Sequence, residues 1–207
     1  MSEHDSDPAR AIQGDLAFMK ALVSEGGRAQ ASAGAAFLAG GLCYGIQCLG
    51  QFAEVMGWLP WGLLGLILSV VPTVIFLAVL GTILWRARKD AQHGVATRAL
   101  NAAFSSAGLA NMFMVAVFGY NATVEKSFTI WLLYPVVVCA FQGAVWSIAF
   151  AIRRKAWLGI VSAGWFAVTL ALGLTIHAVV WYLLVLAVAL LVLMSGSGYV
   201  MMREAGK

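Results

Sequence analysis

The chain has 207 residues, of which 62% are hydrophobic and 11% charged, with a net charge of +4 and a mean hydropathy of +0.89. Soluble domains carry about 25% charged residues, and a chain this short has too little polar surface to cover so much apolar side chain in water. That excludes a water-soluble globular domain, and the small positive balance, divided among short segments, excludes a nucleic-acid-binding protein.

The first 30 residues are the most polar part. Glu3, Asp5, Asp7 and Asp15 lie where a signal peptide would be basic and then apolar, so the first span is expected to stay in the membrane. Asp7 followed by Pro8 reads as a helix start. Ile12, Leu16, Met19, Leu22 and Val23 recur at helical spacing, and Gly26-Gly27 reads as a stop. The expectation is an amphipathic helix on the inner surface. Leu16, Met19 and Lys20 are its candidate contacts with lipid headgroups or with a docked partner.

Six stretches are long enough to span a bilayer as helices: 31–53, 58–84, 99–121, 128–151, 156–174 and 178–201. The last two form one apolar run. As a single helix it would reach about 70 Å against a hydrocarbon core of about 30 Å, so it must turn back, best at Gly173 to His177. Pro60 suits the first turn of the second span. Pro72 and Pro135 lie inside the second and fourth, where their kinks should be covered by the bundle.

The basic residues fix the threading. Arg10, Lys20 and Arg28 precede span one; Arg86, Arg88, Lys89 and Arg98 follow span two; Arg153, Arg154 and Lys155 follow span four; Arg203 and Lys207 follow span six. The other three connections hold only Lys126. Positive charge stays in the cytoplasm, so both termini are expected inside. The expected fold is an all-α integral membrane protein: a tail over 1–30 with its amphipathic helix, six transmembrane helices over 31–202 as three tandem hairpins, and a tail over 203–207. Trp58, Trp61, Tyr120, Trp131, Trp181 and Tyr182 near the outer ends, and Trp85 and Trp157 near the inner ends, are expected at the headgroup boundary. Ser-Ala-Gly recurs early in each rising helix, at Ser32–Gly34, Ser106–Gly108 and Ser162–Gly164, either as a repeat or as a product of composition.

Within span one, CYGIQCLGQ is unusually polar. Gly40, Tyr44, Gln47 and Gln51 share one helix face, and Gly41 and Gly45 give a G-x-x-x-G spacing beside it. Two readings are open. The amides could bond across a helix contact, with glycine allowing close approach. Alternatively, Tyr44, Gln47 and Gln51, joined by Asn111 and Ser105 from span three, Gln142 from span four and Thr169 from span five, could line a path for a small solute.

Other chemistry lacks residues. Cys43 and Cys48 point apart on a helix, and Cys139 is on another span. His4, His93 and His177 are scattered over a tail and two loops. No metal, haem or other cofactor is expected. No ionisable residue lies deep in a span, which argues against a proton-coupled carrier; Glu54, at the outer end of span one, reads as a solvated loop residue. The nearest approach to a rhomboid-type serine motif, Ser195-Gly196-Ser197-Gly198, departs from it at the first position, and the Asn-Pro-Ala box of aquaporins is absent. The expectation is a non-enzymatic multi-pass protein of a bacterial inner membrane, working through partners as a scaffold or as the membrane half of a sensor pair. The alternative is a channel for a small neutral solute. The expected partners are the bilayer, a cytoplasmic or membrane protein, and further copies of the chain. Arg86, Arg88, Lys89, Arg153, Arg154 and Lys155 are candidate contacts with a partner or with headgroups.

Overall fold

The computed structural model describes residues 8–60, 62–87 and 95–206, with side chains over 30–60, 62–86 and 98–206. Every regular element among the described residues is helical: α1 (Pro8–Val55), α2 (Leu63–Ala87), α3 (Val95–Val124), α4 (Phe128–Arg153), α5 (Ala156–Leu174), α6 (Val179–Ala189), a π-helical turn (Leu190–Ser195) and α7 (Gly196–Ala205). Six segments are long and apolar enough to cross a membrane: Gln30–Val55, Leu63–Arg86, Arg98–Val124, Phe128–Arg153, Ala156–Leu174 and Val179–Ala205. A helix satisfies its own backbone groups, which is what apolar runs of this length need in lipid.

Several expectations are corrected. Gly26-Gly27 does not stop a helix, because α1 runs unbroken from Pro8 to Val55. A helical glycine costs about 1 kcal/mol relative to alanine, and the long run on either side tolerates it. Pro60 is not in the first turn of the second span. Gly62, at φ +137°, cannot belong to a helix, so α2 begins after it at Leu63 and Leu66 N–H donates to the Gly62 carbonyl. Tyr182 does not sit at a headgroup boundary. It is wholly buried, and its hydroxyl donates to the Leu132 carbonyl of α4. The last apolar run does fold back, with Ala178 N–H bonded to the Thr175 carbonyl at 2.8 Å.

α1 packs against α2 and along the whole of α6, the π-helical turn and α7, while α4 packs between α3 and α5. Glycines set the first of these contacts. A Cβ on Gly34 would lie 2.7 Å from the Gly198 carbonyl oxygen, and one on Gly41 would lie 2.6 Å from both the Leu190 carbonyl oxygen and the Ser195 nitrogen. Gly45 presses on the Leu191 side chain. The Gly41/Gly45 spacing is therefore a helix contact, and it meets the last span where that span widens into its π-helical turn. There Ser195 Oγ donates back to the Leu190 carbonyl.

α1, α3, α4 and α5 meet through edge-on and tilted aromatic rings. Phe37 of α1 lies 5.2 Å from Phe104 of α3 and 5.3 Å from Trp146 of α4. Trp146 lies 5.9 Å from Trp157 of α5. The three Ser-Ala-Gly tripeptides have unlike surroundings. Gly34 meets backbone, Gly164 meets the Leu193 side chain, and Gly108 faces open space.

Candidate functional site

The polar face of α1 is spent on α2. Gln47 Nε2 donates to the Ser69 carbonyl at 3.0 Å, Thr73 Oγ1 donates to Gln47 Oε1 at 3.5 Å, and Tyr44 packs its ring on Phe76. Asn111 serves another contact: its Oδ1 accepts from the Tyr134 hydroxyl at 2.8 Å, tying α3 to α4. Ser105 and Thr169 donate to carbonyls of their own helices, at Ala102 and Trp165. Gln51 and Gln142 are half-buried, and Gln142 Oε1 has no partner among the described residues. The stripe is thus divided between two helix contacts.

Glu54 is not a solvated loop residue. It is 5% exposed, its carboxyl group lies against Gly65 of α2, and its Oε1 has no hydrogen-bond partner among the described residues. The helix turn that carries Gln47 and Gln51 into the α1–α2 contact carries Glu54 there too, one turn further on.

The denser polar cluster is at the opposite end. Arg153 Nη1 donates to Gln30 Oε1 at 2.7 Å. Gln30 Nε2 donates to the Met201 carbonyl at 3.4 Å and to Glu204 Oε2 at 3.3 Å. Lys155 Nζ makes an ion pair with the same Glu204 oxygen at 2.6 Å. One network therefore ties the middle of α1 to the ends of α4 and α7 and to Lys155, which precedes α5. Arg154 caps α4 in the left-handed conformation (φ 54°), its N–H on the Phe150 carbonyl, and its side chain faces outward. Arg86, Arg98 and Arg203 are exposed as well.

This network borders a cavity of about 40 Å³ whose walls include Gln30, Asn101, Trp146, Arg153, Trp157 and Met201. A buried water occupies about 10–15 Å³ on such a measure, so the space holds roughly three waters or one small polar group. Trp146 is 1% exposed, and its indole Nε1 has no partner among the described residues. Trp157 Nε1 lies near the Glu204 carboxylate. Both groups are donors only.

Among the expected contact residues, Arg153 and Lys155 belong to this network, Arg154 lies between them in sequence and is exposed, and Arg86 is exposed at the end of α2. Leu16, Met19, Lys20, Arg88 and Lys89 lie outside the described side chains. The sequence reading missed Gln30, Asn101, Trp146, Trp157 and Glu204. One signal was available: Trp146 and Arg153 are seven residues apart, on one face of α4. Among the described residues, no three His, Cys, Asp or Glu side chains gather as a metal site would require.

These features define an all-helical bundle whose six long helices are apolar enough to span a membrane, with a small cavity beside the Gln30–Arg153 contact. No known protein family, curated protein or solved structure matches the chain.

Proposed function

We propose that the chain is a non-enzymatic multi-pass protein of a bacterial inner membrane that acts through a partner at its basic end, as a scaffold or as the membrane half of a sensor pair. In this reading its six helices form three tandem hairpins with both termini in the cytoplasm, and residues 1–30 provide the docking segment. The register of the first pair supports a hairpin there: Gly50 meets Leu68 while Gly40 meets Phe76, so α1 and α2 run antiparallel. The positive-inside rule supports the orientation.

The observation that carries the reading is the use made of the interior amides. Gln47 and Asn111 bond to neighbouring helices instead of facing a shared path. Arg86, Arg98, Arg154 and Arg203 are instead exposed, where an acidic partner surface or anionic headgroups would meet them. The test is affinity capture from a gentle detergent, comparing the full chain with a variant lacking residues 1–27 and with the Arg154→Ser/Arg203→Ser pair. Loss of the same co-purifying protein from both variants supports docking at this end. Identical captures from all three count against it.

A second reading, a facilitator for a small neutral solute, is favoured by two buried acceptors without partners among the described residues, Gln142 Oε1 and Glu54 Oε1. Swelling of proteoliposomes decides between the readings. Permeation that Gln47→Leu and Gln51→Leu both reduce would favour the facilitator.

A further inference from the structure

α1 continues past the level at which its neighbours end. Gln30 bonds to Met201 and Glu204, beside Ala205, the last residue of α7, and Arg153, the last residue of α4, bonds to Gln30. α2 runs antiparallel to α1, with Gly40 against Phe76, so its end at Ala87 falls at the same level. Residues 8–29 of α1 therefore project beyond these helices by about 33 Å, at 1.5 Å per residue. The helix is unbroken at Gly26-Gly27, so this segment follows the axis of the span instead of turning to lie along a membrane surface.

The projecting segment carries an apolar face in phase with the contact between α1 and the last span. Eighteen residues make five helical turns, so Ile12, Leu16 and Val23 stand on the face of Gln30, Gly34 and Gly41, and Met19 is in phase with Phe37. Gln30 and Gly34 meet α7, and Gly41 meets the π-helical turn. The face that the last span covers inside the bundle thus runs on past Ala205, where α7 ends. A lone helix of this length is marginal in water, and an apolar face of this kind is what a second helix would cover. The connection between α2 and α3 cannot reach it: seven residues anchored at both ends rise about 12 Å at most, whereas Leu16 stands about 21 Å beyond Gln30. A second copy in the same membrane fits poorly as well. Both last spans would lie between the two α1 helices, which at about 8–10 Å per helix contact sets them about 24–30 Å apart, and the projecting segments would meet only at their tips.

We propose that this face docks an amphipathic helix of a separate cytosolic protein, standing on the end of α7 with acidic side chains at its foot. The inference rests on the reading of a partner at this end and names the surface that partner presents. Its foot would meet Arg154 and Arg203, both exposed and next in sequence to the Lys155–Glu204 ion pair. Acidic residues favour the first turn of a helix, so the docked helix would enter N-terminus first, head to tail with α7.

The test uses the purified full chain in nanodiscs and two labelled synthetic helical peptides with the same leucine face. One carries glutamate in its first turn and the other lysine, and fluorescence anisotropy reports binding. Leu16→Ser/Met19→Ser removes the apolar face. Ala17→Ser/Ala21→Ser alters another face of the same segment and serves as the control. Arg154→Gln/Arg203→Gln removes the cations at the foot. Thermal unfolding first establishes that each variant is folded.

The expected result is binding of the glutamate peptide in preference to the lysine peptide. Leu16→Ser/Met19→Ser should weaken it about tenfold or more, as loss of two buried apolar side chains implies. Arg154→Gln/Arg203→Gln should weaken it less, and the control should leave it unchanged. The proposal is overturned if the glutamate peptide does not bind, or binds the Leu16→Ser/Met19→Ser chain as it binds the parent. It is overturned in favour of lipid if a nitroxide on Leu16→Cys, in a chain whose native cysteines are alanine, responds to oxygen more than to an aqueous nickel reagent. It is overturned in favour of a second copy if native mass spectrometry shows a dimer that Leu16→Ser/Met19→Ser reduces to a monomer. If the partner captured by the full chain is lost on removal of residues 1–27 but kept by Leu16→Ser/Met19→Ser, this inference fails and docking at this end stands. If capture survives both changes, both fail.

Discussion

Gln47 donates its side-chain amide to the main-chain carbonyl of Ser69, three residues before Pro72. The same relationship recurs on the other side of the bundle, where the Tyr182 hydroxyl donates to the carbonyl of Leu132, three residues before Pro135. A proline removes the N–H that the carbonyl four residues earlier would accept, and its ring spreads that turn. In a membrane the loosened carbonyls have no water to turn to. A side chain from the neighbouring helix reaches into the disturbed turn in each case, so each helix contact is formed at the point where a proline has opened the ladder.

This pairing predicts a coupling. Gln47→Leu removes the donor to Ser69 and should lower stability by about 1 kcal/mol, near the upper part of the range for interhelical hydrogen bonds in membranes. In a Pro72→Ala background the helix can close its own bonds, and the same substitution should cost less. Unfolding of the four proteins of the cycle in mixed detergent micelles gives the interaction free energy. An equal cost in both backgrounds would show that Gln47 does not serve the proline turn.

The six long helices were legible because length and apolarity alone determine them. The Gly41/Gly45 contact was legible for a similar reason, since spacing places both residues on adjoining faces of one helix. Glu54 and Tyr182 were misread because their burial depends on which helix lies opposite, and one chain in isolation does not reveal that. Gly65 leaves the room that Glu54 enters, and α4 supplies the carbonyl that Tyr182 needs. The cavity was the least legible feature. Its walls come from α1, α3, α4, α5 and α7, and residues separated by up to 171 positions meet there, as Gln30 and Met201 do. The π-helical turn carries no composition of its own and is recognisable only from its bonding.

The contact of α1 with the last span gives the second prediction. A Cβ on Gly198 would lie 2.5 Å from the Leu38 nitrogen and 2.6 Å from the Gly34 carbonyl oxygen, and backbone atoms cannot move aside as a flexible side chain can. Gly198→Ala should therefore cost about 1–3 kcal/mol, as overpacking does. Gly108 meets nothing within 4 Å, so Gly108→Ala should be neutral or stabilise α3 by up to about 1 kcal/mol. Unfolding midpoints of the two variants, measured side by side, should move in opposite directions or differ by at least the cost of the clash. Matching midpoints would show that α1 and α7 are not in this close contact.

Lys126 adopts φ 49° in the connection between α3 and α4, where Ser127 N–H bonds to the Ala122 carbonyl. A side chain in the left-handed region costs about 1 kcal/mol, and glycine occupies it without that cost. Lys126→Gly should raise the unfolding midpoint, although the freer unfolded chain offsets part of the gain. Lys126→Val should lower it, because a branched Cβ fits this conformation worst. A midpoint insensitive to both changes would mean that the connection does not hold this turn in solution.

Glu54 and Gly65 provide the last prediction. Because Glu54 Oε1 occupies the space where a Cβ on Gly65 would stand, Gly65→Ala must displace the carboxyl group or separate α1 from α2. Separating the helices should cost about 1–3 kcal/mol, as overpacking does, whereas swinging the flexible end of the Glu54 side chain aside costs less. Shortening the side chain by Glu54→Ala frees that space, so Gly65→Ala introduced into this second background should cost little. The two costs differ by the coupling between the residues, which for groups in direct contact is about 0.5–3 kcal/mol. A carboxyl group held at this contact is also shielded from water-soluble reagents, so a carboxyl-directed label should modify Glu54 more readily in the Gly65→Ala protein than in the parent. Equal labelling together with purely additive stabilities would place Glu54 in solvent, and the Glu54 end of the α1–α2 contact would then be open rather than closed by this residue.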